Sequence, residues 1–146
     1  MTSMLTTTPP FTVSISVTGT AADIWLALTD RDKMVHWYFP QLLAFEAEVG
    51  FSTEFALTND DKSFTHQWKV SEVVSHKKIS YEWTFAEYPG KSVSIFEIIE
   101  TDSGNEVAVT TQVLEDFPTD IPEFTVESGT GGWEYLLGQL AEYLDK

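Results

Sequence analysis

The sequence predicts an α+β domain: a curved, seven-stranded antiparallel sheet wrapped around one long C-terminal helix, with two short helices between strands 1 and 2. Three observations predict it. Apolar residues alternate with polar ones in run after run between Phe11 and Val113, the period of half-buried strands. Trp133, Leu136, Leu137, Leu140 and Leu144 then repeat at i, i+3, i+4, i+7 and i+11, which is a helical stripe. A sheet with one apolar face needs a cover, and this stripe is the long apolar surface the chain offers.

The elements follow in order. Phe11, Val13, Ile15 and Val17 share one face of the first strand. Thr20 caps a helix, with Asp23 three residues on at its positive end; Ile24, Trp25 and Leu28 form its buried side. A second short helix runs from Asp32 through Trp37 and ends before Pro40. Leu43, Phe45, Ala47 and Val49 alternate with Glu46 and Glu48 and read as strand 2, closed by Gly50. Phe51, Thr53, Phe55 and Leu57 read as strand 3, closed by the turn Asn59-Asp60-Asp61.

Loop parity sets the register of the next strands. A tight turn at His76-Lys77 places Trp68 opposite Phe85, Val70 opposite Trp83, Glu72 opposite Tyr81 and Val74 opposite Ile79, all on one face. Pro89-Gly90 suits a type II turn within a four-residue loop, which sets Trp83 against Ser94 and Tyr81 against Phe96. The turn from Asp102 to Asn105 pairs Ile98 with Val109 and Phe96 with Thr111. After the Phe117-Pro118 loop, Asp120 or Ser128 caps the last helix.

A chain of 146 residues with 42% hydrophobic and 14% aromatic residues buries enough surface for one core without staples. Residues 1–10 read as a flexible tail and 11–146 as a single domain. With no cysteine, disulfides and thiolate chemistry are excluded. Eight Lys and Arg against 23 Asp and Glu give a net charge of −15, which excludes a phosphate-tracking nucleic-acid binder. The imbalance lies in the second half: Ser92 to Asp145 holds 12 acids and no Lys, Arg or His. That half reads as a solvated surface, or as a face for a basic protein partner. The first ten residues lack the basic and apolar runs of a leader, and no stretch reaches the length of a membrane span. The expectation is a soluble, cytoplasmic protein.

At this point the chain resembles the SRPBCC (START/Bet v-like, helix-grip) superfamily, and within it the branch named after the activator of heat-shock protein 90 ATPase. The strings that carry the resemblance are Ala22 to Asp30 (ADIWLALTD), Trp37 to Pro40 (WYFP), Trp68 to Glu72 (WKVSE), Lys78 to Trp83 (KISYEW), and Gly132-Trp133 leading Leu136, Leu140 and Tyr143-Leu144. The resemblance runs from about Phe11 to the end. It implies a helix-grip fold with a cavity between the sheet and the last helix, in a superfamily whose members bind lipids, hormones or polyketides or catalyse cyclisation or hydrolysis. It transfers no universal catalytic motif. Trp68 stands where a glycine is common in the wider family, so its indole is expected to fill part of the cavity.

The chemistry the residues offer is narrow. His36, His66 and His76 lack metal-ligand spacing, and no nucleophile elbow, phosphate loop or dinucleotide fingerprint occurs. No metal, cofactor or catalytic residue is assigned. His66 reads as a rim histidine paired with Glu87. His66 and Glu72 lie roughly 20 Å apart along one strand, too far for proton transfer. Glu72 falls on the apolar face beside Tyr81, either solvated at the sheet end or buried with a raised pKa.

The leading reading is a domain binding a small apolar ligand, with Trp68, Tyr81, Trp83, Phe96 and Trp133 as walls and His66 and Glu72 as polar orienters. The second is a chaperone-cofactor or stress-related protein-interaction domain, a monomer or homodimer, using the acidic half. The third is a polyketide-cyclase-like enzyme with Glu72 or His66 as acid or base.

Overall fold

In the computed structural model, which describes residues 2–146, the chain runs β1 (Phe11–Val17), α1 (Ala21–Thr29), α2 (Arg31–Trp37), β2 (Ser52–Asn59), β3 (Lys62–Val74), β4 (Lys78–Phe85), β5 (Tyr88–Thr101), β6 (Gly104–Glu115) and α3 (Val126–Leu144). The strands form one open antiparallel sheet in the order β1-β6-β5-β4-β3-β2. Four consecutive hairpins build β2 to β6, and β1 adds to the free edge of β6. α3 covers one face through Trp133, Leu137 and Leu140, the arrangement of a helix-grip fold. Among the described residues, no helix is long and apolar enough to cross a membrane.

The local signals explain the helices. Thr20 accepts from the Asp23 backbone N–H while the Asp23 carboxylate accepts from Thr20 N–H, a reciprocal capping box. Asp30 caps α2 in turn. The Trp37 indole donates to the Ala27 carbonyl at 2.7 Å, which locks the two short helices together. α3 starts between the two expected caps: Thr125 is its N-cap and accepts from Ser128 N–H.

The sheet has six strands, not seven. The segment 43–49 alternates in sequence but forms no strand: Leu43 is 77% exposed and Val49 63%, whereas Leu42 and Phe45 are buried. Its anchors are three residues apart, so the alternation was incidental to the burial. β2 is one edge of the sheet and β1 the other.

The registers differ from the parity argument in an instructive way. Trp68 faces Trp83, and Val70 faces Tyr81. Tyr81 faces Ser94 and Trp83 faces Ser92, while Phe96 faces Val109 and Ile98 faces Val107. Each pairing is offset by two residues from the expected one. An even offset keeps every side chain on its face, so the aromatic face survives. The cause lies in the turns. β4 and β5 are joined by two residues, Ala86 and Glu87, since Phe85 already pairs with Tyr88. Pro89-Gly90 is therefore inside β5 and not at the turn.

Two shifts are odd: one at Leu114, since Lys91 pairs with Glu115 but Ser92 with Val113, and one at Ser71. A bulge at Ser71 puts Glu72 opposite Ser80 and Val73 opposite Ile79, so Val73 points inward and Glu72 outward. A bulge inserts one residue and reverses the faces beyond it. The turn that follows has three residues, with His76 at φ +64°.

Of residues 1–10, expected to form a flexible tail, Thr2, Met4 and Thr6 bond to or pack on the domain. Met4 is buried in a cluster with Phe64, Val113, Phe117 and Phe124. Phe117 N–H donates to the Met4 carbonyl, and Val126 N–H to that of Thr2. This cluster stands apart from the main core, where Trp37, Tyr38, Trp68, Tyr81 and Phe96 pack with α1, α2 and the second half of α3.

Candidate functional site

Between these two clusters lies a cavity of about 340 Å³. Strands β3 to β6 supply its floor: His66, Trp83, Phe85, Ser92, Ser94 and Thr111. The first half of α3 supplies its roof through Gly129, Gly132, Trp133 and Leu136. Met4, Phe64, Phe117 and Phe124 close one end. The exposed lining residues Thr58, Asn59, Ser128 and Gly132 mark its mouth, between the β2–β3 turn and the start of α3.

The cavity exists because residues on both walls are small. A Cβ placed on Gly132 would meet no heavy atom within 4 Å. Across from it, Ser92, Ser94 and Thr111 occupy buried floor positions between large rings. Glycine inside a helix costs about 1 kcal/mol relative to alanine, and at Gly132 the neighbours exert no steric demand for it. Gly132 is exposed at the mouth, and its missing side chain leaves that opening clear.

Two indoles are fixed by hydrogen bonds across this space. Trp133 Nε1–H donates to Thr111 Oγ1 at 3.1 Å, tying α3 to β6. Trp83 Nε1–H donates to His66 Nδ1, also at 3.1 Å. An indole nitrogen can only donate, so Nδ1 must accept, and the proton of the neutral imidazole sits on Nε2. The His66 ring stacks on Phe55 with centroids 4.9 Å apart and has Phe85 at 4.8 Å. Burial among these rings pushes its pKa down to about 4, against a smaller upward pull from Glu87. His66 is therefore neutral near pH 7 and offers one donor. With Nδ1 held by Trp83, it is not poised as a general base.

The expected pairing of His66 with Glu87 is not what forms. Glu87 accepts from the backbone and hydroxyl of Thr65 at 2.7 and 2.6 Å, and these bonds hold its carboxyl below the usual range. At the mouth, Glu123 accepts from Asn59 at 2.7 Å and from Lys62 at 3.0 Å. Partial burial pushes the Glu123 carboxyl up, but these partners outweigh it and the pKa is lowered. Among the described residues, Glu123 is the one fully charged group on the lining.

Of the residues singled out from sequence, Trp83, Trp133 and His66 come together on the cavity. Trp68, Tyr81 and Phe96 share the same sheet face but lie deeper, in the filled core. The Trp68 ring packs against Tyr81 at 4.7 Å and Phe55 at 5.0 Å, and its Nε1 is buried with no partner. Tyr81 is occupied by Tyr38, whose phenol oxygen lies 2.6 Å away; burial pushes both phenols well above their ordinary pKa. Glu72 is outside altogether. It pairs with Lys78 at 3.1 Å on the opposite face, with its side chain 51% exposed, because the bulge at Ser71 reverses the strand.

Sequence reasoning missed Phe64, Phe117, Phe124 and Met4, which come from a turn-proximal strand end, a loop and the tail. The available signal was the glycine run 129–132 facing an aromatic-rich loop. Among the described residues, no group of three or more His, Asp or Glu side chains is arranged to hold a metal ion.

No curated protein is similar enough to the chain to match it. Solved structures are similar in fold. A Chromobacterium violaceum protein superposes with a TM-score of 0.76 at 18% identity, covering 94% of this chain and 97% of that one. The Aha1 dimer from Colwellia psychrerythraea gives 0.69 at 15% identity, covering 94% and 96%. DynU16, a protein of the dynemicin biosynthetic locus, gives 0.72 at 19% identity; 94% of this chain is covered, but only 47% of that one. At such identities the likeness shows the fold. Residues 19–145 match the family model described as "Activator of Hsp90 ATPase homolog 1-like protein". That match takes in every element from the first helix cap to the end of α3, and the chain belongs to this family, in the SRPBCC helix-grip fold.

Proposed function

We propose that this chain is a START-like domain that binds a small hydrophobic ligand in the cavity between the sheet and α3. The observation that carries the reading is the open space itself. A cavity of about 340 Å³ lies in the size range of small-molecule sites, which are mostly apolar with few polar groups. Seven aromatic rings line it, from Phe11, Phe64, Trp83, Phe85, Phe117, Phe124 and Trp133. A solid core would have gained free energy by filling that volume. Trp83, Trp133 and His66 are the wall and orienting residues in this reading; Trp68, Tyr81 and Phe96 support the wall from behind.

The test is titration with the neutral fluorophore N-phenyl-1-naphthylamine. Saturable binding at one site, lost in Gly132→Leu while the variant still unfolds cooperatively, is the expected result. Absence of saturable binding to the unmodified protein overturns the reading.

A second reading, a protein-interaction role like that of the chaperone activator for which the family is described, draws support from the net charge of −15. It requires salt-sensitive association with a basic partner, or self-association resembling that of the dimeric Colwellia psychrerythraea relative. Sedimentation of the purified chain at two salt concentrations checks the latter.

A further inference from the structure

The polar groups of the cavity floor are not scattered. Moving across the sheet, His66 stands on β3, Ser92 and Ser94 on β5, and Thr111 on β6, where it pairs with Ser94. Both indole N–H groups on the lining are already spent, on His66 Nδ1 and Thr111 Oγ1. That fixes what remains. His66 presents Nε2–H, which can only donate. Thr111 has accepted and keeps its hydroxyl proton to give. The hydroxyls of Ser92 and Ser94 sit on residues that are 6% and 2% exposed, and they make no hydrogen bond to the described residues. Among the described residues the one sealed, unpaired side-chain atom is Trp68 Nε1, so these hydroxyls open onto the cavity, where water or a ligand oxygen completes them.

The charge on the lining narrows the choice. Among the described residues it includes no Lys or Arg, and its one fully charged group is the Glu123 carboxylate, whose oxygens are taken by Asn59 and Lys62. An anionic head group would face Glu123 with the nearby cation, Lys62, already paired to that carboxylate.

We infer that the cavity selects a neutral, ring-sized apolar ligand carrying a carbonyl-type oxygen, which accepts from His66 Nε2–H with the Ser92, Ser94 and Thr111 hydroxyls alongside, and that it rejects carboxylates. This rests on the ligand-binding reading above and specifies its ligand class.

Three molecules of nearly one shape test it: fluorene, fluorenone and fluorene-9-carboxylate, each displacing N-phenyl-1-naphthylamine. In a cavity without donors, fluorene wins over fluorenone, because water solvates the ketone and nothing inside replaces that solvation. With donors in place the order inverts. Fluorenone should bind about 5- to 10-fold tighter than fluorene, the gain of one buried hydrogen bond, and the carboxylate should bind weakest. Bound fluorenone should show its carbonyl stretch lowered relative to fluorenone in an apolar solvent, and His66→Phe should abolish both the lowering and the advantage over fluorene. If fluorene binds as well as fluorenone or better, the acceptor inference falls while the cavity reading stands. If the carboxylate binds best, the inference falls likewise. If the fluorophore itself never binds, both fall together. The order in the unmodified protein decides the matter even if His66→Phe fails to fold.

Discussion

The Trp83 indole donates to His66 Nδ1 at 3.1 Å across neighbouring strands, and that one bond sets the tautomer, the orientation and the chemistry of the only histidine on the cavity. The burial of the same ring has a consequence for acid stability. The folded chain holds His66 near pKa 4, whereas the unfolded chain titrates near 6.5. Between those values the unfolded chain binds the proton that the folded chain refuses, so stability falls as pH drops from about 6.5 to about 4. The full loss is roughly 3 kcal/mol. Carboxylates with lowered pKa, such as Glu123, act in a separate window below about 4.5. Urea midpoints at pH 7, 5.5 and 4.5 should decline steadily in the unmodified protein and stay nearly level in His66→Phe; parallel slopes would refute the assignment.

Tyr38 and Tyr81 form a closed pair, with phenol oxygens 2.6 Å apart in the buried core. Replacing either by Phe leaves the other hydroxyl unpaired, which costs about 1–3 kcal/mol. Replacing both removes the need, and the double variant should be more stable than the sum of the singles implies. A double-mutant cycle by chemical denaturation measures the coupling, and strict additivity would show the pair to be unimportant.

Gly132 should separate stability from binding. Gly132→Ala adds a Cβ into open space and should stabilise the chain by about 0.5–1 kcal/mol through helix propensity. Gly132→Leu should keep the fold and block the mouth. Thermal unfolding and fluorophore titration read the two effects; a destabilised Gly132→Ala would mean that the space is not there.

Gly90 is the reverse case. Its φ is +117°, and a Cβ there would fall 2.5 Å from the Phe117 ring. Gly90→Ala should therefore destabilise by about 2–3 kcal/mol, from backbone strain and displacement of the ring. Because Phe117 closes the cavity, probe binding should weaken as well. Denaturation and titration of the same variant would expose a mild effect if the contact is soft.

Glu72 should prove dispensable. Its bond to Lys78 is an exposed ion pair, of a kind worth about 0–1 kcal/mol. Glu72→Gln should leave the urea midpoint and the probe affinity nearly unchanged; a large loss of binding would restore it to the site.

What the sequence determined by itself is the set of faces. Alternation from Phe11 to Val17 and along Trp68, Val70, Tyr81, Trp83 and Phe96, together with the leucine stripe of α3, states which side of each element is apolar, and burial follows that statement. The registers were missed by two residues at each hairpin, and the faces held because side-chain direction depends only on parity. Parity was broken at Leu114 and at Ser71, by bulges that leave no mark in composition, and the inserted residue at Ser71 moved Glu72 from beside Tyr81 to solvent.

Tertiary structure alone decided where the face is filled and where it is hollow. Trp68, Tyr81 and Phe96 are inward residues like Trp83, yet Tyr38 and Phe45 pack down on them, while Trp83, edge-on to Trp133, borders the cavity that Gly129 and Gly132 help to roof. Which inward ring meets a neighbour and which meets space depends on elements brought together from far apart in the chain, including Met4 and Phe117. Periodicity reports direction within an element. It carries no information about what stands opposite.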